Sequence, residues 1–516
     1  INPFAQTWKP THSVQDLQKI DTESLRDSAE LIQSGAEDLY SIAGRLMLQR
    51  VSGKLSFWQI KDATGTIQIM IEHQHSSLAP GGFVANVSPE HISSRHEFVW
   101  ESSKSFDYVV FGKLVDVGDI VWVSWELTVT RAWELTLFVS EFQLLSKAIR
   151  PLGDKFHGLG EDSRERAYRE RYLDMIFNDE SFARMQLRSK FNRTLREFYR
   201  SEGFLELETP ILGNHASGAA AKPFVTHHED FDLDMYLRIA PEIALKMATV
   251  WGFERVFEIG KNFRNEWSSP SHHQEFLVAE HYALYWDYQD NMDFTEKMFN
   301  YLFDHIPELS RTIQVADKEG NIQEVTFWQT RERIDYTARV LADSGIDVSQ
   351  YTAQDETELR ELIRSKGHDR VWLEVQTTAT MIDYLYKKVT RPQILGPAFI
   401  YNYPKTMQPL ARASDADPHI VEQFQVLVNG REVVKAYSEL VDPLELQSNF
   451  DAQSQALARG DDEATSSDDE FVRAMEYGMP PQSGRGMGLD RIFAMLTEQA
   501  NIRDVIMFPL MKPDNT

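Results

Sequence analysis

Residues Phe253–Tyr282 read FERVFEIGKNFRNEWSSPSHHQEFLVAEHY, and the reading of this stretch decides the fold. Val256-Phe257-Glu258-Ile259 alternates as a buried strand does, and Phe276-Leu277-Val278-Ala279-Glu280-His281-Tyr282 reads as a second strand. The connection between them holds Arg264, Asn265, Glu266, His272 and His273. A strand–loop–strand hairpin is a rigid platform for side chains that must meet a ligand. If the first strand runs on through Glu266, Arg264 and Glu266 share a face, because side chains two apart in a strand point the same way. The same residues also describe a salt-bridged surface hairpin, so the choice rests on the rest of the chain.

At 516 residues the chain is too long for one ordinary core, which predicts two or more domains. Hydrophobic content of 42% and charged content of 26% are those of a soluble globular protein. No apolar run is long enough to span a bilayer, and there is no signal-peptide core, so no membrane partner and a cytoplasmic location are expected. The start, INPF without Met, reads as trimmed or incomplete. With no Cys there is no disulfide, thiolate nucleophile or Cys-type zinc site, and the 15 His lack metal-site spacing. A net charge of −26 argues against nonspecific coating by nucleic acid, so such a partner would need local basic or aromatic patches.

Outward from the hairpin, residues 1–40 read as a polar helical extension. Segments 42–48, 55–60, 66–71, 120–127 and 134–145 read as five short strands, the pattern of an OB-type barrel over residues 41–149. Such barrels bind oligonucleotides across one face, and Phe57, Gln68 and Glu141 lie on strands able to form it. A spacer barrel has the same pattern. Residues 73–108 read as a surface insertion, and 150–165 as a linker whose end carries an arginine cluster. Ser181–Arg200 is an amphipathic helix, followed by a strand, Phe204–Thr209, that stops at Pro210; this pair is a plausible dimer seam. Residues 310–390 read as an irregular insertion. Gly484–Arg491, GRGMGLDR, reads as a glycine-rich approach to an apolar helix; it is neither a Walker loop nor a good Rossmann fingerprint.

With these segments in place, the chain resembles the class II aminoacyl-tRNA synthetases, and among them the lysyl-tRNA synthetases. The resemblance is carried in order by INPF and KPTHS, AGRLMLQRVSGKLSF, RPLGDKFHGL, RERYLDMI, YLRIAPE, FEIGKNFRNE, AYSEL, GDDEA, MEYGMPP, GMGLDRI and IRDVIMFP. It implies an α+β chain: an N-terminal OB-fold anticodon-binding barrel, then, over residues 166–516, an antiparallel catalytic sheet flanked by helices, in a homodimer. It implies ATP-dependent attachment of L-lysine to tRNA-Lys through a lysyl-adenylate, with Mg2+ as cofactor. By the same resemblance Arg264 grips the α-phosphate and Phe276 stacks on adenine. Glu266 and His272 lie on the nucleotide side, and Arg491 meets the γ-phosphate. Arg264, Glu266 and Arg491 are the catalytic set. Glu432 matches a magnesium-binding carboxylate. Gly218, Glu242, Glu280, Tyr282, Tyr437 and Glu439 match the lysine pocket, and Phe57, Gln68 and Glu141 the anticodon face. The reaction needs no protein nucleophile, only positioning and cations where charge develops, and buried carboxylates suit a cationic amino acid. An aspartyl- or asparaginyl-type synthetase, a non-catalytic RNA- or protein-binding paralogue and a protein lysylase are the rivals. YLRIAPE and AYSEL favour lysine over the first, and the barrel speaks against the last.

The chain departs from the family pattern at several positions. Gln425 stands where a metal-binding Glu is usual, Lys435 and Val441 stand where Asn is, and His273-Gln274 replaces Asn-Pro. These put the number of metal ions and the affinity for the amino acid in question. Trp58, Trp125, Trp133, Trp251 and Trp267, with Trp122, stand where Gly is expected. At the turn Arg131-Ala132-Trp133-Glu134 a positive φ is expected, which strains a Trp. A source that reads UGA as glycine accounts for this pattern, and genuine substitution is the alternative; UGG codons at these positions exclude the first.

Overall fold

The computed structural model describes residues 9–21, 40–52, 55–72, 77–78, 84–85, 100–101, 115–130, 133–150, 152, 164–215, 218, 221–316, 320–328, 332–352, 354–368, 377–408, 411–458 and 468–513. The chain forms two compact units, Ile1–Glu161 and Asp162–Thr516.

The first unit is built on β1 (Tyr40–Ser52), β2 (Leu55–Lys61), β3 (Thr66–Glu72), β4 (Ile120–Val129) and β5 (Leu135–Ser146). Their order is β3-β2-β1-β4-β5, with antiparallel neighbours, and β5 closes onto β3 in parallel. Closure leaves these five strands without an open edge, as in an OB barrel. Alternate residues such as Ile42, Trp58, Ile60, Ile69, Val121 and Leu137 fill the interior. The short helix Val14–Gln18, held by a Ser13–Asp16 capping box, adds Val14 and Leu17 to that core. The helix expected after Asp21 falls, from 22 to 39, outside the described residues, as do most of 73–108 and of the linker 150–165.

Trp133 sits in the β4–β5 turn with φ 66°, and Trp328 has φ 57°. A bulky side chain in the left-handed region costs about 1–2 kcal/mol, part of which glycine returns as unfolded-state entropy. Trp133→Gly should therefore raise stability by about 1 kcal/mol, seen as a higher urea midpoint with unchanged slope. An equal or lower midpoint contradicts strain at this turn. Trp251 differs: it is exposed, but its φ of −72° is ordinary right-handed backbone. Trp58 is buried in the barrel core, and Trp267 is exposed. The Trp125 side chain lies outside what is described.

The second unit holds an eight-stranded sheet made of β6 (Leu205–Glu206), β7 (Arg255–Phe263), β8 (Glu275–Leu284), β9 (Glu332–Asp335), β10 (Ala398–Pro404), β11 (Ile420–Val428), β12 (Arg431–Ser438) and β13 (Gln482–Gly488). The order is β9-β10-β11-β12-β13-β8-β7-β6, and only the edge pairs β9–β10 and β6–β7 are parallel. Helices Asp179–Ser201, Tyr288–His305 and Leu489–Leu496 contribute to the apolar core on one face, where Phe198, Phe299, Phe493, Ala279, Val434 and Ala436 meet. The alternate residues of β8 and β12 turn to the other face, which is open.

Three segments differ from their sequence reading. Strand β7 ends at Phe263, so Arg264 and Glu266 belong to the loop and not to a strand face. The loop diverges because backbone N–H groups find partners off the ladder: Asn265 donates to the Lys222 carbonyl at 2.7 Å. Gly484–Gly488, read as a glycine-rich approach to the last helix, does lead into it but is itself part of β13, a central strand. Residues 310–390 form a hairpin (Thr312–Ala316 with Ile322–Thr326) that packs into the main core, the edge strand β9 and helices Tyr336–Ser344, Glu356–Ser365 and Thr378–Leu385, which share a second core with β10 and β11.

Candidate active site

The open face of the sheet floors a cavity of about 650 Å³, a size suited to a small-molecule ligand. Two rungs of strand partners cross its floor. One runs Gln425–Lys435–Gly486–Glu280–Glu258 and the next Gln423–Tyr437–Gly484–Tyr282–Val256. Gly484 and Gly486 leave the middle of the floor bare. A Cβ on Gly484 would overlap the Tyr282 ring and come 2.5 Å from Glu439 Oε1. Glycine in a strand interior marks such close approach. Gly484→Ala should push these two side chains apart and raise KM for the amino acid about tenfold or more, with folding retained. An unchanged KM contradicts the tight floor.

Carboxylates gather at one end. Glu242, on the first turn of the helix Glu242–Val250, accepts a hydrogen bond from Tyr437 OH at 2.9 Å. Glu280 accepts one from Tyr282 OH at 2.9 Å. The buried Lys246 ammonium lies 2.5 Å from both Glu242 Oε1 and Glu439 Oε2. Burial pushes the Glu280 carboxyl up to about 8, and the neighbouring Glu242 charge adds to this. Burial likewise raises Glu439 to about 8, against the pull of Lys246. Burial opposes the Lys246 charge, yet Glu242 and Glu439 hold its pKa above the usual lysine value. Three carboxylates thus face one resident ammonium. Gly218, at φ 88°, lines the same end, where a Cβ would sit 3.1 Å from Glu242 Cβ.

Cations gather at the other end. The Arg264 guanidinium lies 5.3 Å from the Phe276 ring centroid, so these two side chains share one surface. The Arg264 backbone N–H donates to the Gln274 carbonyl, while Gln274 Nε2 donates to the Glu266 carbonyl, which staples the loop. Arg491 donates to the Glu432 carbonyl at 2.7 Å; burial lowers its pKa. His272 lies at the rim, its Nδ1 2.8 Å from Ser269 Oγ, and burial with nearby Arg491 pulls its pKa below the ordinary histidine value. Glu266 also lines the cavity and is exposed. Among the described residues no three His, Asp or Glu side chains form a metal-sized cluster. Mg2+ bound with a nucleotide needs only one or two carboxylates, because phosphates and water complete its shell. Glu432, which lines the cavity, fits one such ion.

The structure also places residues that the sequence reading missed. Lys246 stands four residues after Glu242, one helical turn on; that spacing was the available signal. Arg238 and Glu258 form a buried ion pair at 2.6 Å at the β7 end of the floor, and both also bond Thr209. Asp490 accepts from the Leu277 N–H at 2.7 Å and from Arg188, fixing β8 to the last helix. The departures find structural work. His273 Nδ1 donates to the Glu275 carbonyl, so its Nε2 accepts the Leu510 N–H at 3.0 Å. Val441 packs against an apolar cluster with Leu440 and Phe471.

In the barrel, Phe57 and Gln68 share an outer face, since Phe57–Met70 and Gln59–Gln68 are register partners. Gln68 donates to Thr136 Oγ1 at 2.9 Å. A register slip leaves Ser140 extra, so Phe142 enters the core and Glu141 stays outside it.

Residues 163–512 match the family described as tRNA synthetases class II (D, K and N). The lysine–tRNA ligase of Aquifex aeolicus is 39% identical over 92% of this chain and 73% of its own length. Those of Fervidobacterium nodosum and Thermotoga maritima are 37% and 38% identical, over 100% and 96% of this chain and 91% of each relative. The family match over residues 163–512 and the near full-length similarity agree: the chain belongs to the lysine–tRNA ligase family of class II tRNA synthetases.

Proposed function

We propose that this chain attaches L-lysine to tRNA-Lys in two steps, at the expense of ATP. The carrying observation is the charge count at the amino-acid end. Three carboxylates, the buried Glu280 and Glu439 and the part-buried Glu242, face one ammonium, Lys246. Ionised as the ligand binds, the two surplus carboxylates complement a diammonium ligand, and lysine is the amino acid with an ammonium at each end. A buried ammonium requires a paired carboxylate, so a neutral side chain would leave a charge unpaired there.

In the first step a lysine carboxylate oxygen attacks the α-phosphorus while the bond to the bridging β-oxygen breaks and pyrophosphate leaves. Arg264, at the cation end, stabilises charge on the α-phosphate oxygens, and adenine stacks on the neighbouring Phe276 ring. Arg491 and the rim residues Glu266 and His272 hold the polyphosphate end. Mg2+ held by Glu432 and the phosphates would neutralise the departing pyrophosphate. In the second step a terminal ribose hydroxyl of the tRNA attacks the lysyl carbonyl carbon and AMP leaves. Phe57, Gln68 and Glu141 form the anticodon-reading face of the barrel, a stacking surface beside polar groups.

The active form is a homodimer in the cytoplasm. The exposure of Leu205, on the strand that follows the helix Asp179–Ser201, and of Ile211 and Leu212 just beyond it supports a dimer seam, and sedimentation at the monomer mass contradicts it. Among the described residues no helix is long and apolar enough to cross a membrane.

Charging of a tRNA-Lys transcript with labelled lysine tests this function. Wild-type chain should charge it, and Phe57→Ala should cut charging about tenfold to a hundredfold, far more than it cuts pyrophosphate exchange. Exchange with no charging of any tRNA favours a protein-lysylating enzyme instead.

A further inference from the structure

Gln425 and Lys435 are direct partners on β11 and β12, so the neutral amide and the ammonium are one local unit. Val433, Lys435 and Tyr437 line the cavity in turn along β12, which places Lys435 between the nucleotide end and the lysine end. Across the bare Gly486 it faces Glu280, two strand spacings or about 10 Å away. The Lys435 ammonium donates to Gln408 Oε1 at 3.0 Å and has no ion-pair partner among the described residues. Gln425 Oε1 accepts from the buried Tyr403 hydroxyl at 2.9 Å, which engages the amide's only oxygen. By contrast the other cavity lysine, Lys387, is neutralised by Asp383 at 2.7 Å.

Resting on the proposed function, we infer that Lys435 is a resident cation that takes the place of a divalent ion. A metal at this rung would need a carboxylate at 425, and Gln425 cannot supply the charge. It would also meet the Lys435 ammonium at close range. The ammonium itself delivers fixed positive charge to the phosphate oxygens, together with Arg264 and Arg491. ATP then binds with one Mg2+, at Glu432, and the paired replacement of Glu by Gln and of Asn by Lys conserves positive charge while lowering the metal count.

The test is the number of Mn2+ ions bound tightly per active site, counted by electron paramagnetic resonance with saturating lysine and an ATP analogue whose α,β-bridge resists cleavage. Wild type should bind one. The double variant Gln425→Glu/Lys435→Asn should bind at least one more. Lys435→Gln should weaken binding of the analogue about tenfold to a hundredfold, and Lys435→Arg much less. Two or more ions in the wild type overturn the inference whatever the variants do, and leave the proposed function intact. No binding of the analogue by wild type contradicts the function itself, and the inference with it.

Discussion

Glu280→Gln is expected to lower kcat/KM for lysine about 10³-fold in the activation step, while leaving ATP binding close to wild type. Glu280 is buried, hydrogen-bonded by Tyr282 and shares its surroundings with Glu242. An amide of the same shape keeps the packing and removes the charge that would pair with the substrate ammonium. A loss below tenfold contradicts a role for this carboxylate in amino-acid recognition. The pH behaviour follows from the same group. Its folded pKa of about 8 lies above the ordinary 4.5, so between those values the folded chain holds a proton that the unfolded chain has released. Stability should therefore fall as pH rises through that window. In Glu280→Gln that decline should be shallower, and the variant should be the more stable protein near pH 8. An ammonium bound beside Glu280 favours its charged form, so lysine binding near pH 7 should release protons, measurable by calorimetry in buffers of different ionisation enthalpy. Proton-neutral binding contradicts the raised pKa.

Arg264→Ala should reduce the rate of adenylate formation about 10³-fold, because a preorganised donor at developing charge is lost. Arg264→Lys should recover little of it, since one ammonium does not reproduce the planar fork of a guanidinium on phosphate oxygens or its packing on Phe276. Rapid-quench measurement of the single-turnover step separates this from lysine affinity, which should change much less. A variant with an unchanged single-turnover rate and only weaker ATP binding assigns Arg264 to binding alone.

Much of this was legible in the sequence because hydrophobic period and family motifs act together. The alternation of Ile42, Ile60, Ile69 and Leu137 is what a small barrel requires, and the strands lie within a few residues of their expected places. The lysine-end residues Glu242, Glu280, Tyr282, Tyr437 and Glu439 line or adjoin one cavity. What was not legible depended on tertiary contact. The strand before Arg264 gives way to a loop because the Asn265 N–H bonds to the Lys222 carbonyl, off the ladder, which no local pattern announces. The GRGMG run carries no strand alternation, yet it is a central strand in which Gly484 admits Tyr282 and Glu439. Lys246 reads as an ordinary helical lysine until Glu439, 193 positions away in the chain, is brought beside it.

Amino-acid-dependent exchange of pyrophosphate into ATP, measured for each of the twenty amino acids in turn, identifies the amino acid that the pocket activates. Exchange with lysine alone, lost in Glu280→Gln, is the predicted result. Exchange that depends on aspartate or asparagine, or no exchange with any amino acid, contradicts it.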